Sequence, residues 1–243
     1  MAVKKTLVKS LLPFAAAAAL SGGAFAGDNP KDPAEGFNRA MFAVNEALDT
    51  AIAKPLAKGY DHVAPLPVKA VVGNFFGNIA DLMTGVNSLL QGKPGEAMND
   101  WGRVLVNTTL GIGGAFDVAS EMGLDKHHED FGQTMGVWGV GEGAYLFWPV
   151  IGPRTVRDTA GFVVDSYADP VWYIGDVPLR NSLVGLRYVD QRAALLPTDR
   201  IIEEGALDKY SYIRDAYLQH RRNAVYDGYP PRQADDGDEA DDR

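Results

Sequence analysis

Residues 68–90, VKAVVGNFFGNIADLMTGVNSLL, are the stretch that decides the fold. Their large apolar side chains recur every three or four residues and fall within an arc of about 140°, which predicts an amphipathic helix roughly 34 Å long. The opposite face carries asparagine, aspartate, serine and three glycines, Gly73, Gly77 and Gly85. A glycine costs about 1 kcal/mol relative to alanine inside a helix, so this face is predicted to meet another backbone or a ligand.

Two environments fit that helix. Its apolar face could be buried in the core of a soluble protein or could contact lipid, and the apolar pattern alone favours neither environment. A helix with lipid on the apolar side and a hydrated path on the other side explains the glycine-rich polar face more directly.

Helix signals continue along the rest of the chain. Asp32 is predicted to cap a first helix that ends or kinks at Pro55, and Thr155 is predicted to cap a later one. No segment alternates with a period of two, and no hairpin signal separates two such runs, so the fold is predicted to be all-α. Further helices are expected over about 94–110, 155–168, 179–196 and 199–226, with a possible break near Gly205.

A second unusual stretch, residues 131–153, reads FGQTMGVWGVGEGAYLFWPVIGP. Its clustered glycines, Glu142 and Pro149 make it a poor membrane-spanning helix. Tryptophan and tyrosine favour the membrane interface, and irregular backbone is tolerated at that depth when it packs inside protein or lines water. The stretch is therefore interpreted as an interfacial loop, with a hydrophobic core loop as the alternative.

The N-terminus has the form of an export signal. Lys4, Lys5 and Lys9 precede the apolar run Leu11–Leu20, and Ala24-Phe25-Ala26 fits a cleavage site. Residues 1–26 are therefore predicted to be a signal peptide, since ten apolar residues are too few to span a bilayer. Residues 27–228 are predicted to form a single helical domain, and the acidic tail 229–243 is predicted to be disordered.

Composition and motifs exclude several classes of function. The net charge of −9 argues against nucleic acid as a partner and against electrostatic adhesion to anionic lipid. The 243 residues include no cysteine, which excludes cysteine catalysis, cysteine-ligated zinc and an acylated N-terminal cysteine. No phosphate loop, dinucleotide fingerprint or nucleophile elbow is present, and the cluster at residues 127–130 (HHED) is interpreted as a solvated loop. A set of charged residues is interpreted as ordinary surface or inter-helix pairs, with phosphate binding by some of its arginines as the alternative: Arg154, Arg157, Asp158, Arg214, Asp215, Arg221 and Arg222. We therefore expect no catalytic residues, no metal and no cofactor.

Several motifs in fixed order resemble those of the MlaA/VacJ family of outer-membrane phospholipid-transport proteins. They are residues 32–39 (DPAEGFNR), 87–94 (NSLLQGKP), 107–114 (NTTLGIGG), 131–134 (FGQT), 136–141 (GVWGVG), 155–158 (TVRD) and 214–217 (RDAY).

The resemblance implies a ring-like assembly of amphipathic helices lying in the membrane, on the periplasmic side of the outer membrane, around a central channel. Phospholipids mislocalised to the outer leaflet would enter it and pass to a soluble periplasmic carrier, and then to an ATP-driven inner-membrane complex. That activity maintains lipid asymmetry and is not enzymatic. The resemblance also implies a trimeric porin as a partner. Many family members are acylated on a cysteine, which this sequence lacks, so attachment is expected to depend on apolar helix faces and any porin contact.

On this hypothesis the 68–90 helix lines the lipid path, and the aromatic and glycine-rich stretch shapes or gates its mouth. The path candidates are Asn74, Asn78, Asp81 and Asn87, and the mouth candidates are Gly136, Trp138, Gly139, Gly141, Gly143 and Trp148. A soluble periplasmic helical lipid-binding protein is the alternative, with residues 131–153 in its core. A lipid hydrolase is a second alternative, and it requires a convergent Ser/His/Asp set.

Overall fold

The structure is a computed structural model that describes residues 29–232. The predicted signal peptide and most of the predicted tail lie outside this range. The helices are α1 (Glu35–Leu48), α2 (Lys54–Val63), α3 (Leu66–Leu90), α4 (Pro94–Thr109), α5 (Val118–Glu121), α6 (Phe131–Val137), α7 (Val156–Ala168), α8 (Val177–Ala194), α9 (Leu196–Gly205) and α10 (Lys209–Val225). A π-helical turn, Asp49–Ala53, joins α1 to α2, and a 3-10 turn, Pro170–Tyr173, follows α7.

The helical prediction is confirmed, but the 131–153 stretch, which was interpreted from sequence as a loop, contains regular structure. Its first residues form the helix α6 (Phe131–Val137). Further along this stretch, β1 (Tyr145–Trp148) pairs antiparallel with β2 (Gly152–Thr155). The prediction that no hairpin occurs was wrong, because all four residues of β1 are apolar and so show no polar alternation.

Two local predictions had different outcomes. Thr155 caps α7 as expected, its side chain accepting the backbone N–H of Asp158. Asp32 does not cap α1, whose N-cap is Ala34 with no side-chain cap. The reason is that the Asp32 carboxylate is fully buried and binds Asn38, Tyr210 and Arg214 instead.

The elements contact one another in a closed circuit. The helix α3 packs on α6 and α8, and α8 packs on α2, which continues through the π-helical turn into α1. The circuit returns through β1, which lies on α1, through β2 to α7, and from α7 to α6. On this ring, α4 lies against α3, while α10 contacts α6 and β2. The circuit therefore links α3, α7, α8 and the hairpin through an unbroken series of contacts.

Within residues 29–232, no helix combines the length and the hydrophobicity that crossing a membrane requires. Side-chain burial is nevertheless reversed from that of an ordinary soluble domain. Many of the fully buried large side chains are polar or charged, while large apolar side chains are exposed on most helices.

Candidate functional site

The polar face of α3 is turned into the protein and its apolar face outward. Asp81, Thr84 and Ser88 are buried, whereas Leu82, Leu89 and Leu90 are exposed. The Gly85 position explains one of the unfavourable glycines, because a Cβ there would approach the Trp101 indole nitrogen to 2.5 Å. The helix therefore packs closely against α4 through its polar side.

Arg103 of α4 is the centre of the first buried charge cluster. Its guanidinium is fully buried and donates to Asp81 at 3.2 Å and to both oxygens of Asp117 at 2.9 Å. Lys126 provides Asp81 with a second cation at 2.6 Å. Buried charges must be paired and hydrogen-bonded to be tolerated, so the cluster fixes α3, α4 and the segment after α5 relative to one another.

Arg221 of α10 is the centre of a second cluster. It donates to Asp158 of α7 at 2.9 Å and 3.0 Å, and to Asp130 at the start of α6. Tyr217 adds a hydrogen bond to Asp158 at 2.8 Å. Burial by itself would raise the pKa of the Asp158 carboxyl, but the hydrogen bonds from Arg221 outweigh it and hold that pKa below its ordinary value. The cluster joins three helices of the ring.

The hairpin is anchored to α1 by two asparagines. Asn38 accepts the Phe147 backbone N–H at 2.8 Å and donates to the Tyr145 carbonyl at 3.0 Å. Asn45 donates to the Trp148 carbonyl at 2.9 Å. Tyr145 and Phe147 pack with Tyr210 in the small apolar core, so the opposite strand face, with Leu146 and Arg154, points away from that core.

The four path candidates lie on the polar side of α3, where their side chains bind α4, the segment after α4 and α6. Asn74 donates to the Ala115 carbonyl at 3.2 Å, and Asn78 donates to the Thr108 hydroxyl at 3.0 Å. Asp81 belongs to the Arg103 cluster, and Asn87 accepts from the Thr134 hydroxyl at 2.9 Å. The Asn78 Oδ1 atom is buried and has no partner among the described residues.

The mouth candidates divide between packed and open positions. Gly136 lies in α6, where a Cβ would meet Val225 at 2.8 Å, and Trp148 donates to Thr159 from β1. Trp138 is exposed, and its indole donates to the Leu90 carbonyl at the end of α3. The remaining candidates follow in the loop: Gly139 and Gly143 have φ of +88° and +69°, and Gly141 has open space around it.

The exterior is apolar over several neighbouring helices. Met98 and Leu105 of α4 are each 66% exposed, and Leu66 of α3 is 78% exposed. Between α3 and α4 lies an open depression of about 400 Å³, whose lining is Leu82, Trp101, Val104, Leu105, Thr108 and Thr109. Exposed apolar surface of this extent is typical of a protein that contacts a membrane or another protein.

The arrangement of Ser88, Asp100 and His127 bears on the hydrolase alternative. The Asp100 carboxylate lies between the other two, accepting from Ser88 at 3.2 Å and contacting His127 Nδ1 at 2.9 Å. A nucleophilic serine needs the imidazole beside its own hydroxyl, and here a carboxylate occupies that place. Within residues 29–232, no group of three or more potential ligands is placed to hold a metal ion.

Sequence reasoning missed Arg103, and it interpreted Asp158 and Arg221 as members of ordinary surface or inter-helix pairs, whereas the structure buries all three. Hydrophobic periodicity carries no signal for them, because a charged residue on a helix is ordinarily read as solvent-exposed. The one available signal was their position opposite the apolar faces. Arg154 was likewise interpreted as part of an ordinary surface or inter-helix pair, with phosphate binding by some of the arginines as the alternative, and Asp165 was not singled out.

Fold and burial together define a helical protein with a polar, ion-paired interior and an apolar exterior. A family model described as MlaA lipoprotein matches residues 30–224. The chain belongs to this family.

Similar proteins include the intermembrane phospholipid transport system lipoprotein MlaA of Haemophilus influenzae, which is 32% identical over 92% of each chain. The protein of the same name from Escherichia coli K12 is 36% identical over 77% of this chain and 76% of its own. An uncharacterised protein of Rickettsia bellii is 38% identical over 80% of this chain and 76% of its own. A solved structure, from work on the structural basis for maintenance of bacterial outer membrane lipid asymmetry, superposes with a TM-score of 0.71. It is 32% identical and covers 80% of this chain and 98% of that chain.

Proposed function

We propose that this protein is the outer-membrane component of an intermembrane phospholipid transport system. It takes phospholipids that have reached the outer leaflet and passes them to a soluble periplasmic carrier, and so maintains lipid asymmetry. The relatives named for this transport system, and the structure associated with lipid asymmetry, support the assignment. No covalent step is needed, so the protein acts as a passive conduit.

The observation that carries the proposal is the reversal of burial on α3. Its polar side faces the protein, and its leucines face outward. A phospholipid headgroup costs several kcal/mol to place in hydrocarbon, and a polar interior removes much of that cost while the acyl chains stay against apolar surface. A soluble lipid-binding protein would need the opposite arrangement, with an apolar cavity and a polar exterior.

The lipid path is proposed to run inside the ring along the inward face of α3. Asn74, Asn78, Asp81 and Asn87 form its polar wall, and their hydrogen bonds keep that wall rigid. The unpartnered Asn78 Oδ1 leaves one acceptor on the wall.

The mouth of the path is proposed to lie at the turns after α6. Gly139, Gly141 and Gly143 give the backbone freedom there, while Trp138 sits at the end of α3. Gly136 and Trp148, which pack against neighbouring elements, are proposed to hold the base of this segment.

The apolar exterior is proposed to hold the protein on the periplasmic side of the outer membrane. Leu66, Met98 and Leu105 are among the side chains that would meet acyl chains or the apolar surface of a trimeric porin. The short helices lie along the membrane rather than across it, which agrees with their length and hydrophobicity.

The test of the function is a cell lacking this protein. Loss should raise the amount of phospholipid accessible at the cell surface, and the wild-type gene should restore it. Recovery of the mature protein entirely in the soluble periplasm would favour the soluble alternative.

The test of the path is a matched pair of variants. Asn78→Leu removes both the amide acceptor and the hydrogen bond to Thr108, whereas Thr108→Val removes only that hydrogen bond. Asn78→Leu should fail to restore surface lipid levels, and Thr108→Val should restore them. Equal behaviour of the two variants would show that Asn78 serves packing alone.

A further inference from the structure

Arg154 of β2 is a cation without a counter-ion among residues 29–232. In the described chain, Arg154 has no carboxylate within ion-pair distance, and its Nε atom is buried with no hydrogen-bond partner. Arg180 of α8 shares the buried, unpartnered Nε atom. Seven other described arginines form ion pairs: Arg39, Arg103, Arg157, Arg187, Arg192, Arg214 and Arg221. A buried donor without a partner costs free energy, and in a native protein it calls for an explanation such as a missing ion.

The hairpin fixes the direction of this side chain. In the strand register, Tyr145 lies opposite Thr155 and Leu146 lies opposite Arg154. Tyr145 and Thr155 are fully buried on the side of α1 and α10, so Arg154 stands on the other face of the two strands. There its guanidinium carbon lies 4.2 Å from the centre of the Phe162 ring of α7. Stacking on an aromatic ring holds a guanidinium in place while its edge donors remain available.

Residues of α8 and α7 lie around the same part of the hairpin. Tyr188 of α8 donates its hydroxyl to the carbonyl of Val150 at the hairpin turn. Burial raises the pKa of the Tyr188 hydroxyl, and the positive charge of Arg154 opposes that rise. Burial likewise raises the pKa of the Asp165 carboxyl to about 6, and Arg154 again acts against that rise. Arg154 therefore stands where the hairpin, α7 and α8 converge.

We infer that Arg154 binds the phosphate of a phosphate ester, and that the ester is the headgroup of a phospholipid inside the ring. A guanidinium presents several N–H donors in a plane and matches phosphate oxygens in pairs. A phosphodiester carries one negative charge, which would neutralise the unpaired cation. The inference rests on the proposed function, to which it adds a named contact for the headgroup.

The experiment measures lipid binding by the purified mature chain in detergent. The probes are phosphatidylglycerol and diacylglycerol with identical, fluorescently labelled acyl chains, so that they differ only in the headgroup. Wild type should bind phosphatidylglycerol roughly tenfold more tightly than diacylglycerol, the range expected for one charge-assisted pair. Arg154→Gln should bring phosphatidylglycerol to the diacylglycerol level, and Arg154→Lys should keep most of the preference.

Arg200→Gln is the matched control, because it removes the same charge from an exposed arginine of α9. It should bind both lipids as wild type does, and thermal unfolding of each variant checks that the fold is intact. An unchanged preference in folded Arg154→Gln overturns the inference while leaving the proposed function standing. Failure of wild type to bind either lipid contradicts the proposed function itself.

A final competition experiment distinguishes a lipid headgroup from a soluble phosphate ester as the ligand of Arg154. Glycerol 3-phosphate carries the ester without acyl chains. Displacement of phosphatidylglycerol by an equal concentration of glycerol 3-phosphate would assign the site to soluble phosphate esters and overturn the lipid assignment. No displacement at that concentration supports a headgroup presented by a lipid.

Discussion

The outward face of α4 offers a quantitative test of membrane attachment. Met98 and Leu105 lie two helical turns apart on this face, and each is 66% exposed. Complete burial of such a side chain contributes about 1.5 to 3 kcal/mol, so two-thirds of each side chain contributes about 2 to 4 kcal/mol for the pair. The double substitution Met98→Gln and Leu105→Gln should therefore weaken partitioning into a bilayer by roughly 30-fold to nearly a thousandfold.

The assay is co-flotation of the purified mature chain with phospholipid vesicles at a series of lipid concentrations. Met98→Leu with Leu105→Ile is the control, since it keeps the apolar area and should float as wild type does. Exposed substitutions of this kind rarely change stability by more than about 0.5 kcal/mol, so unfolding temperatures should agree within error. Flotation of the glutamine variant at wild-type lipid concentrations would refute the claim that this face meets acyl chains.

Three further predictions concern what holds the ring together. Arg103→Met removes the cation that Asp81 and Asp117 share and leaves the buried Asp81 with Lys126 as its ion-pair partner, so it should lower the free energy of unfolding by about 3 kcal/mol. Lys209→Met, at a partly exposed pair, should cost at most about 1 kcal/mol, and equal losses in chemical denaturation would contradict the role of the cluster. Gly161→Ala places a Cβ 2.4 Å from the Gly132 backbone nitrogen and should lower the stability by about 1 to 3 kcal/mol. Gly185→Ala meets no atom within 4 Å and should stabilise its helix by about 0.5 to 1 kcal/mol. Thermal unfolding of both variants should therefore show a lower unfolding temperature for the first and a higher one for the second. Burial raises the pKa of Asp165 from 3.8 to about 6, so the folded state binds that proton more tightly than the unfolded state does. Stability should rise as pH falls through about 6, and a pH series of unfolding temperatures on Asp165→Asn should lack that rise.

Local sequence determined which segments are helical over most of the described chain, and for the longest helix it also determined where the helix begins and ends. The helix α3 could be placed to within two residues at each end, because its apolar periodicity extends over more than six turns. The Thr155 cap could also be predicted, since a cap depends only on its immediate neighbours in the chain. The amphipathic character of the candidate site is therefore a property of local sequence alone.

Tertiary contacts determined whether the apolar face of α3 points into the protein or outward. An apolar stripe on a helix looks the same whether it meets a protein core or lipid, and only the neighbours of Asp81 and Leu82 distinguish the two. Asp32 shows that tertiary contacts can override a local preference, because Tyr210 and Arg214 of the distant α10 bind the carboxylate that was predicted to cap α1. Pairing of buried charges, closure of the ring and the position of Arg154 all join residues far apart in the chain. Nearest-neighbour patterns contain no information about such pairs, which form only when the whole chain has folded.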